Sequence, residues 1–249
     1  PRPGDSEKAS EFKSKLLKLS SVDNSWQKSL VYGHKNFTKN SKLDINYKPL
    51  HTLITLIKNI YTNYHIDPYR NKWTNPNVKR TNLHMMYNDD ENKEFMKINF
   101  KDILPLYDKV IREYLNGLNF NKNISYNYDV VNYTAGMKDQ AMEIHDHIPN
   151  CNFSSVHYIQ FTKDHSQTLF HNPHPYAQVA QYLKPDITPY VDKSDFKNSF
   201  LFQNWSYNAV EDDFIIFPAE LKHEVPKIKP TKIPRMTVVV NITLSKEPT

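Results

Sequence analysis

The chain has 249 residues, 39% hydrophobic and 13% aromatic, which is enough apolar material for one folded domain and argues against disorder. Its 32 basic and 27 acidic residues leave a formal charge of +5, but the signs are interspersed and no basic run stands out, which argues against a nucleic-acid partner. The single cysteine, Cys151, excludes an intramolecular disulfide and suits a reducing compartment. No apolar run approaches membrane-spanning length and PRPGDSEKASEFKSK lacks a signal-peptide core, so a cytoplasmic protein without a membrane partner is expected.

Residues 1–25 read as a polar N-terminal segment, and residues 26–249 as a single domain whose first part, 26–120, supplies helical support. Over 49–64, Leu50, Leu53, Leu56, Ile57, Ile60 and Tyr64 recur at helical spacing. A second helix starts at Asp102, a residue type able to cap it. Its stripe is Leu104, Tyr107, Val110, Ile111, Tyr114, Leu115 and Leu118, with Gly117 near its end. Both stripes read as core packing.

After residue 120 the hydrophobic period shortens. YNYDVVNYT, FSSVHYIQF, QTLFHN, NSFLFQNW, DDFIIFP and RMTVVVNITL read as successive strands, too short and too many for parallel βαβ units. Helices first and strands afterwards predict a mainly β chain with N-terminal helices, an α+β sandwich or jelly roll over 121–249. The proline-rich stretch 171–208 reads as an insertion or lid.

Three separated stretches carry candidate chemistry. EIHDHIPN places His145 and His147 two residues apart, so on an extended segment both face one way and Asp146 the other. FIIFPAELKHEVPKI delivers His223 five residues after a strand ending at Pro218. In PRMTVVVNIT, Arg235 and Thr237 share a strand face, and an arginine turned inward there calls for an anion. Taken alone, Arg235 would more often be explained by an internal salt bridge or a surface position.

Together and in this order, the H-x-H, the F-P-x-x-x-x-H and the R-x-T resemble the iron(II)- and 2-oxoglutarate-dependent oxygenases, in particular prolyl-hydroxylase-like and phage-type members. The resemblance covers about residues 126–244. It implies a double-stranded β-helix, the cupin-like jelly roll, and a dioxygenase of hydroxylase type that uses Fe(II) and 2-oxoglutarate and releases succinate and CO2. It implies further that His145 and His223 are metal ligands and that Arg235, with Thr237, pairs with the far carboxylate of 2-oxoglutarate. Tyr158 stands where relatives carry a tyrosine reaching the same carboxylate, and Tyr133 is expected to line the pocket.

The family's usual motif is H-x-D, and position 147 is histidine. Three readings stay open: His147 ligates, a nearby carboxylate (Asp146 or Glu143) replaces it, or the metal is lost. Two further function classes follow, a jelly-roll binding or structural protein and a three-histidine cupin-type metalloenzyme that does not use 2-oxoglutarate. His171 and His174 are explained by a polar loop as well as by a second ligand pair. His157 is structural or exposed, Cys151 a spectator thiol, and Asp212-Asp213 a turn. The substrate, a small molecule or a peptide, and the oligomeric state are not readable.

Overall fold

The computed structural model describes residues 30–40, 52–59, 82–86, 100, 103–118, 124–137, 141–173, 203–227 and 229–246. Two compact units emerge. One, 31–170 with 206–249, holds nearly all of the described residues. Of the other, 1–30 with 171–205, few are described; there the Asn172 N–H donates to the Gln203 carbonyl at 2.7 Å. The expected segment 1–25 and most of the expected insertion lie outside the described residues, as do Leu50, Tyr64, Asp102 and His174.

Among the described residues, ten strands, numbered in chain order, form two sheets whose described pairs are antiparallel. The larger runs β1 (Tyr32–His34), β8 (Phe214–Pro218), β5 (Phe153–Gln160), β10 (Arg235–Lys246), β3 (Ile124–Gly136), β2 (Asn82–Met86). The smaller runs β4 (Met142–His145), β9 (His223–Val225), β6 (Leu169–His171), β7 (Asn204–Ser206). From β3 to β10 the chain passes back and forth between the two sheets, which is the winding of a double-stranded β-helix. The fold is mainly β with helices toward the N-terminus, as the pattern predicts. Strands β1 and β2 precede the helix at 104–117, however, so the N-terminal part is not purely helical. Four short strands, β1, β2, β4 and β9, escape the sequence reading: unlike the segments that hold β6, β7 and β8, they carry no run of aromatic or β-branched residues to mark them.

The helices are α1 (Phe37–Asn40), α2 (52–59) and α3 (Leu104–Gly117). On α3 the spacing buries Leu106, Tyr107, Val110, Ile111, Tyr114 and Leu115, each contributing about 1.5–3 kcal/mol by burial. Its N-cap is Ile103, with no side-chain cap bond. Leu53 and Ile57 of α2 join the same core, whereas Leu56 and Leu118, counted in the stripes, are exposed. This core covers one face of the large sheet through Tyr133, Ala135, Ile159, Phe214, Met236, Val238 and Val240. Residues of the opposite parity on β5 and β10 therefore face the other way, into the space between the sheets. Close packing also fixes Gly33, where a side chain would collide with the ring of Tyr207.

A polar chain is sealed into this core. Tyr107 Oη donates to His157 Nδ1 (2.9 Å), His157 Nε2–H donates to Asp212 Oδ1 (3.3 Å), and the Thr38 N–H and hydroxyl donate to the same carboxylate at 3.1 and 2.9 Å. Asp212, at φ 68°, closes the turn into β8, and Asp213 pairs with Lys35 Nζ at 2.6 Å, so the acidic pair is a turn and also a clamp on the N-terminal segment. Burial holds the His157 imidazole below its ordinary pKa despite the pull of Asp212. Burial alone would raise the Asp212 carboxyl, but the bonds from His157 and Thr38 outweigh it and hold it low.

No helix among the described residues is long and apolar enough to cross a membrane. Because the folded pKa of His157 lies below its unfolded value near 6.5, its share of stability is present above that pH and lost as pH falls beneath it. The melting temperature should drop between about pH 7.5 and about pH 5. His157→Gln, which keeps a donor and an acceptor but does not titrate, should flatten that slope, and an unchanged slope would count against a neutral buried imidazole.

Candidate active site

Between the sheets lies a cavity of about 490 Å³, lined by Asn132, Thr134, Met142, Glu143, His145, His147, Val156, Thr168, His223, Val225, Arg235, Thr237 and Val239. Its histidines come together because β4 and β9 pair with His145 opposite His223. The strand ends there, and the His147 N–H donates to the Ala219 carbonyl at 2.8 Å, pinning the segment after β4 to the turn that leads into β9. The candidate ligand atoms of His145, His147 and His223 all lie within 4.8 Å of one another.

Backbone bonds aim these rings. His145 Nδ1–H donates to the Glu143 carbonyl at 2.8 Å and His223 Nδ1–H to the Leu221 carbonyl at 2.9 Å, leaving Nε2 of each with a lone pair for a metal. His147 Nε2 stands 3.3 Å from His223 Nε2. Two imidazole nitrogens so close either share a proton or share a cation. Burial, followed by the neighbouring His145, pulls the His147 pKa down to about 4, so the ring is neutral and able to donate its lone pair near neutral pH. Phe217 and Phe170 back His223 with rings at 4.8 and 6.0 Å.

At another part of the wall Arg235 is 3% exposed. Its Nε donates to the Ser166 carbonyl at 3.1 Å and its Nη1 to Thr237 Oγ1 at 3.5 Å, while the rings of Tyr158 and Phe161 each lie 5.6 Å from its Cζ. No acidic side chain among the described residues pairs with it. Burial lowers its pKa, the signature of a cation without a counter-ion. Its strand is anchored just upstream, where Gln160 Nε2 donates to the Pro234 carbonyl at 2.7 Å and His165 Nε2–H to the Ile233 carbonyl at 3.0 Å.

Two expected site residues are not among those lining the cavity, although Tyr158 flanks Arg235. Tyr133 belongs to the helix-side core, because alternation along β3 turns its neighbours Asn132 and Thr134 to the cavity instead. The Tyr158 hydroxyl donates to Thr168 Oγ1 at 2.8 Å, so Thr168 meets the cavity and Tyr158 supports it from behind. Asn132 and Thr134 were missed because their facing follows from strand register, and Thr168 because it stands in the loop just before β6. Thr134 sits opposite Thr237, their hydroxyls 2.7 Å apart, and that pairing is not written in either strand alone. His157 faces away from the cavity, and burial pushes the Cys151 thiol up to about 11, so it is not a ready nucleophile.

Residues 133–241 match the model of the family described as "putative 2OG-Fe(II) oxygenase". Over that span the chain resembles the 2OG-Fe(II) oxygenases. Among solved structures, an oxidoreductase of the 2OG-Fe(II) oxygenase family from Burkholderia pseudomallei is 12% identical over 53% of this chain and 50% of that one, with a TM-score of 0.35. This chain thus spans half of the Burkholderia protein. A prolyl hydroxylase from Trichoplax adhaerens, in complex with a peptide fragment of the hypoxia inducible factor oxygen degradation domain, is 14% identical over 93% and 92%, at 0.48. A Pseudomonas putida prolyl-4-hydroxylase is 10% identical over 90% and 98%, also at 0.48. No curated protein matches the chain.

The family's cofactor and co-substrate are Fe(II) and 2-oxoglutarate, and the cavity has the chemistry to receive both. Three converging imidazoles suit a divalent first-row metal. A buried guanidinium without an acidic partner suits a carboxylate. Cobalt(II), a spectroscopically visible substitute for Fe(II), should bind the wild-type protein and raise its melting temperature. His147→Ala should weaken that binding at least about tenfold. An unchanged cobalt affinity would remove His147 from the donor set.

Proposed function

We propose that this protein is a non-haem iron(II)- and 2-oxoglutarate-dependent oxygenase, a hydroxylase acting on a small molecule or a peptide. The observation that carries the reading is Arg235, a buried cation aimed at the same cavity as three histidines and left without a counter-ion among the described residues. A diacid that binds metal at one end and a cation at the other satisfies both demands at once.

In this reading His145, His147 and His223 hold Fe(II) through Nε2, and Arg235 with Thr237 grips the distal carboxylate of 2-oxoglutarate. When bound, the metal and the keto acid supply oxidative decarboxylation to succinate and CO2 coupled to oxygenation of the substrate. The chain's own work is to orient and to shield. The Ser166 carbonyl and the flanking rings of Tyr158 and Phe161 fix the guanidinium before the co-substrate arrives, so little ordering is left to do on binding. Met142, Val156, Val225 and Val239 supply the apolar part of the wall, which strengthens the polar contacts beside it.

His147 favours one competing reading, a three-histidine metalloenzyme that takes no keto acid. Three neutral imidazoles leave the metal one charge more positive than a set containing a carboxylate. A dianionic chelator offsets that excess, which supports the oxygenase reading over its rival.

The test is co-substrate binding. Wild-type protein loaded with metal should bind 2-oxoglutarate and release succinate from it even without a substrate. Arg235→Met, similar in volume and uncharged, should stay folded by circular dichroism and weaken 2-oxoglutarate about 100-fold, as expected for losing one partner of a buried charge pair. Binding that is indifferent to the methionine would favour the three-histidine alternative. No binding and no succinate from the wild type would favour a jelly roll that has lost the reaction.

A further inference from the structure

Exposure among the described residues lining the cavity is confined to one segment. The arginine, the three threonines and the three valines are buried, whereas Met142, His145 and His147 are half-buried and Glu143 is exposed. Solvent therefore reaches the cavity from the β4 side, and Arg235 stands at the closed side. A co-substrate gripped by Arg235 lies deep, and a second molecule enters past β4.

A bulge puts Glu143 at that entrance. β4 and β9 pair at Met142 with Val225 and at His145 with His223, so β4 carries one residue more than β9 between these rungs. Glu143 and His145, two apart, share the cavity face, and Ile144 between them is turned outward, 54% exposed. The Glu143 carboxylate stands outside the group of ligand atoms that the three histidines form. Its backbone carbonyl accepts from the His145 ring, and its side chain takes no hydrogen bond or ion pair among the described residues. Among the described lining residues it is the one carboxylate.

We infer that Glu143 selects the primary substrate, and that this substrate carries a cationic nitrogen beside an apolar part. The inference rests on the oxygenase reading above and narrows its substrate class. Once the keto acid spans from the metal to Arg235, Glu143 is the charged side chain left on the described wall, and it stands where the substrate enters. A carboxylate there attracts a cation and repels a second diacid, so excess 2-oxoglutarate does not occupy the entrance. The valines receive the uncharged remainder of the substrate.

The experiment uses the full chain with Mn(II) and saturating 2-oxoglutarate, and two pairs of probes in which a hydroxyl replaces an ammonium. One pair is pentylammonium and 1-pentanol. The other is N-acetyl-lysine methylamide and its 6-hydroxynorleucine counterpart. Ligand-observed NMR follows both, because the unpaired electrons of Mn(II) broaden the signals of probes held near the histidines. The wild type should bind the cationic member of at least one pair about fivefold more tightly, as expected for a partly exposed ion pair, and added salt should shrink the difference. A preference in the pentyl pair points to a small amine, and one confined to the lysine pair to a peptide. Glu143→Gln should abolish the preference, Glu143→Asp should keep it and Glu143→Lys should reverse it; the position is exposed, so none of the three disturbs the core.

Equal affinity within both pairs for the wild type, or no broadening of any probe, overturns the inference. So does a preference that survives Glu143→Gln. If that variant instead weakens cobalt(II) and leaves the preference intact, the carboxylate serves the metal and the inference falls. Co-substrate binding by the wild type is titrated first, so a failure of the oxygenase reading shows itself separately from a failure at Glu143.

Discussion

A guanidinium buried to 3% exposure with no carboxylate among the described residues to meet it is the constraint around which this cavity is arranged. Taking a cation out of water costs several kcal/mol, and the contacts that Arg235 makes, a carbonyl, a threonine hydroxyl and two ring faces, return only part of that. In the oxygenase reading proposed above, a carboxylate ligand supplies the balance. Strand β10 makes this possible because its alternation gives Met236, Val238 and Val240 to the helix-side core while Arg235, Thr237 and Val239 face the cavity. The apolar half of the strand thus holds the polar half in place.

The histidines follow a similar logic with different partners. Carbonyls two residues upstream take the Nδ1 protons of His145 and His223, and burial keeps His147 neutral, so three lone pairs are directed into one small volume. A proton is a poor substitute for a metal there: one shared between His147 and His223 satisfies two nitrogens and leaves the third without a partner in the cluster. The donor set carries no charge of its own, which makes the electrostatics depend on what else enters. A dianion at the arginine end and a divalent cation at the histidine end would balance each other's charge.

The large sheet separates two kinds of buried polarity. On the cavity face stand the arginine and the three histidines, the groups that the proposed function gives to ligands. On the helix face, Tyr107, His157, Asp212 and Thr38 satisfy one another along a closed chain of hydrogen bonds. Histidines at 145 and 157 are alike in sequence context, each within or beside a short β run, yet one is directed at solvent-accessible space and the other is sealed between rings. A buried network that is complete stabilises the fold, whereas an incomplete one marks where binding energy is still to be gained.

Much of the fold was legible because long strands and the α3 helix carry strong periodicity, and the family resemblance carried by H-x-H, F-P-x-x-x-x-H and R-x-T implied a common chemistry for those residues. The sequence by itself supplied the residue types that meet, imidazoles, a guanidinium and a hydroxyl, and the apolar alternation of β10 commits Arg235 and Thr237 to one face. Only the tertiary structure decided which neighbours share that face. A tyrosine at 133 and an asparagine at 132 read equally well as cavity residues, and the choice between them depends on the pairing of β3 with β10, a contact between positions about a hundred residues apart. The same holds for Tyr158, whose hydroxyl finds Thr168 through the turn after β5, and for the short β4 and β9, which are strands through their pairing with each other and, for β9, with β6. Periodicity is local and survives in the sequence; register is a relation between distant segments and exists only once they have packed.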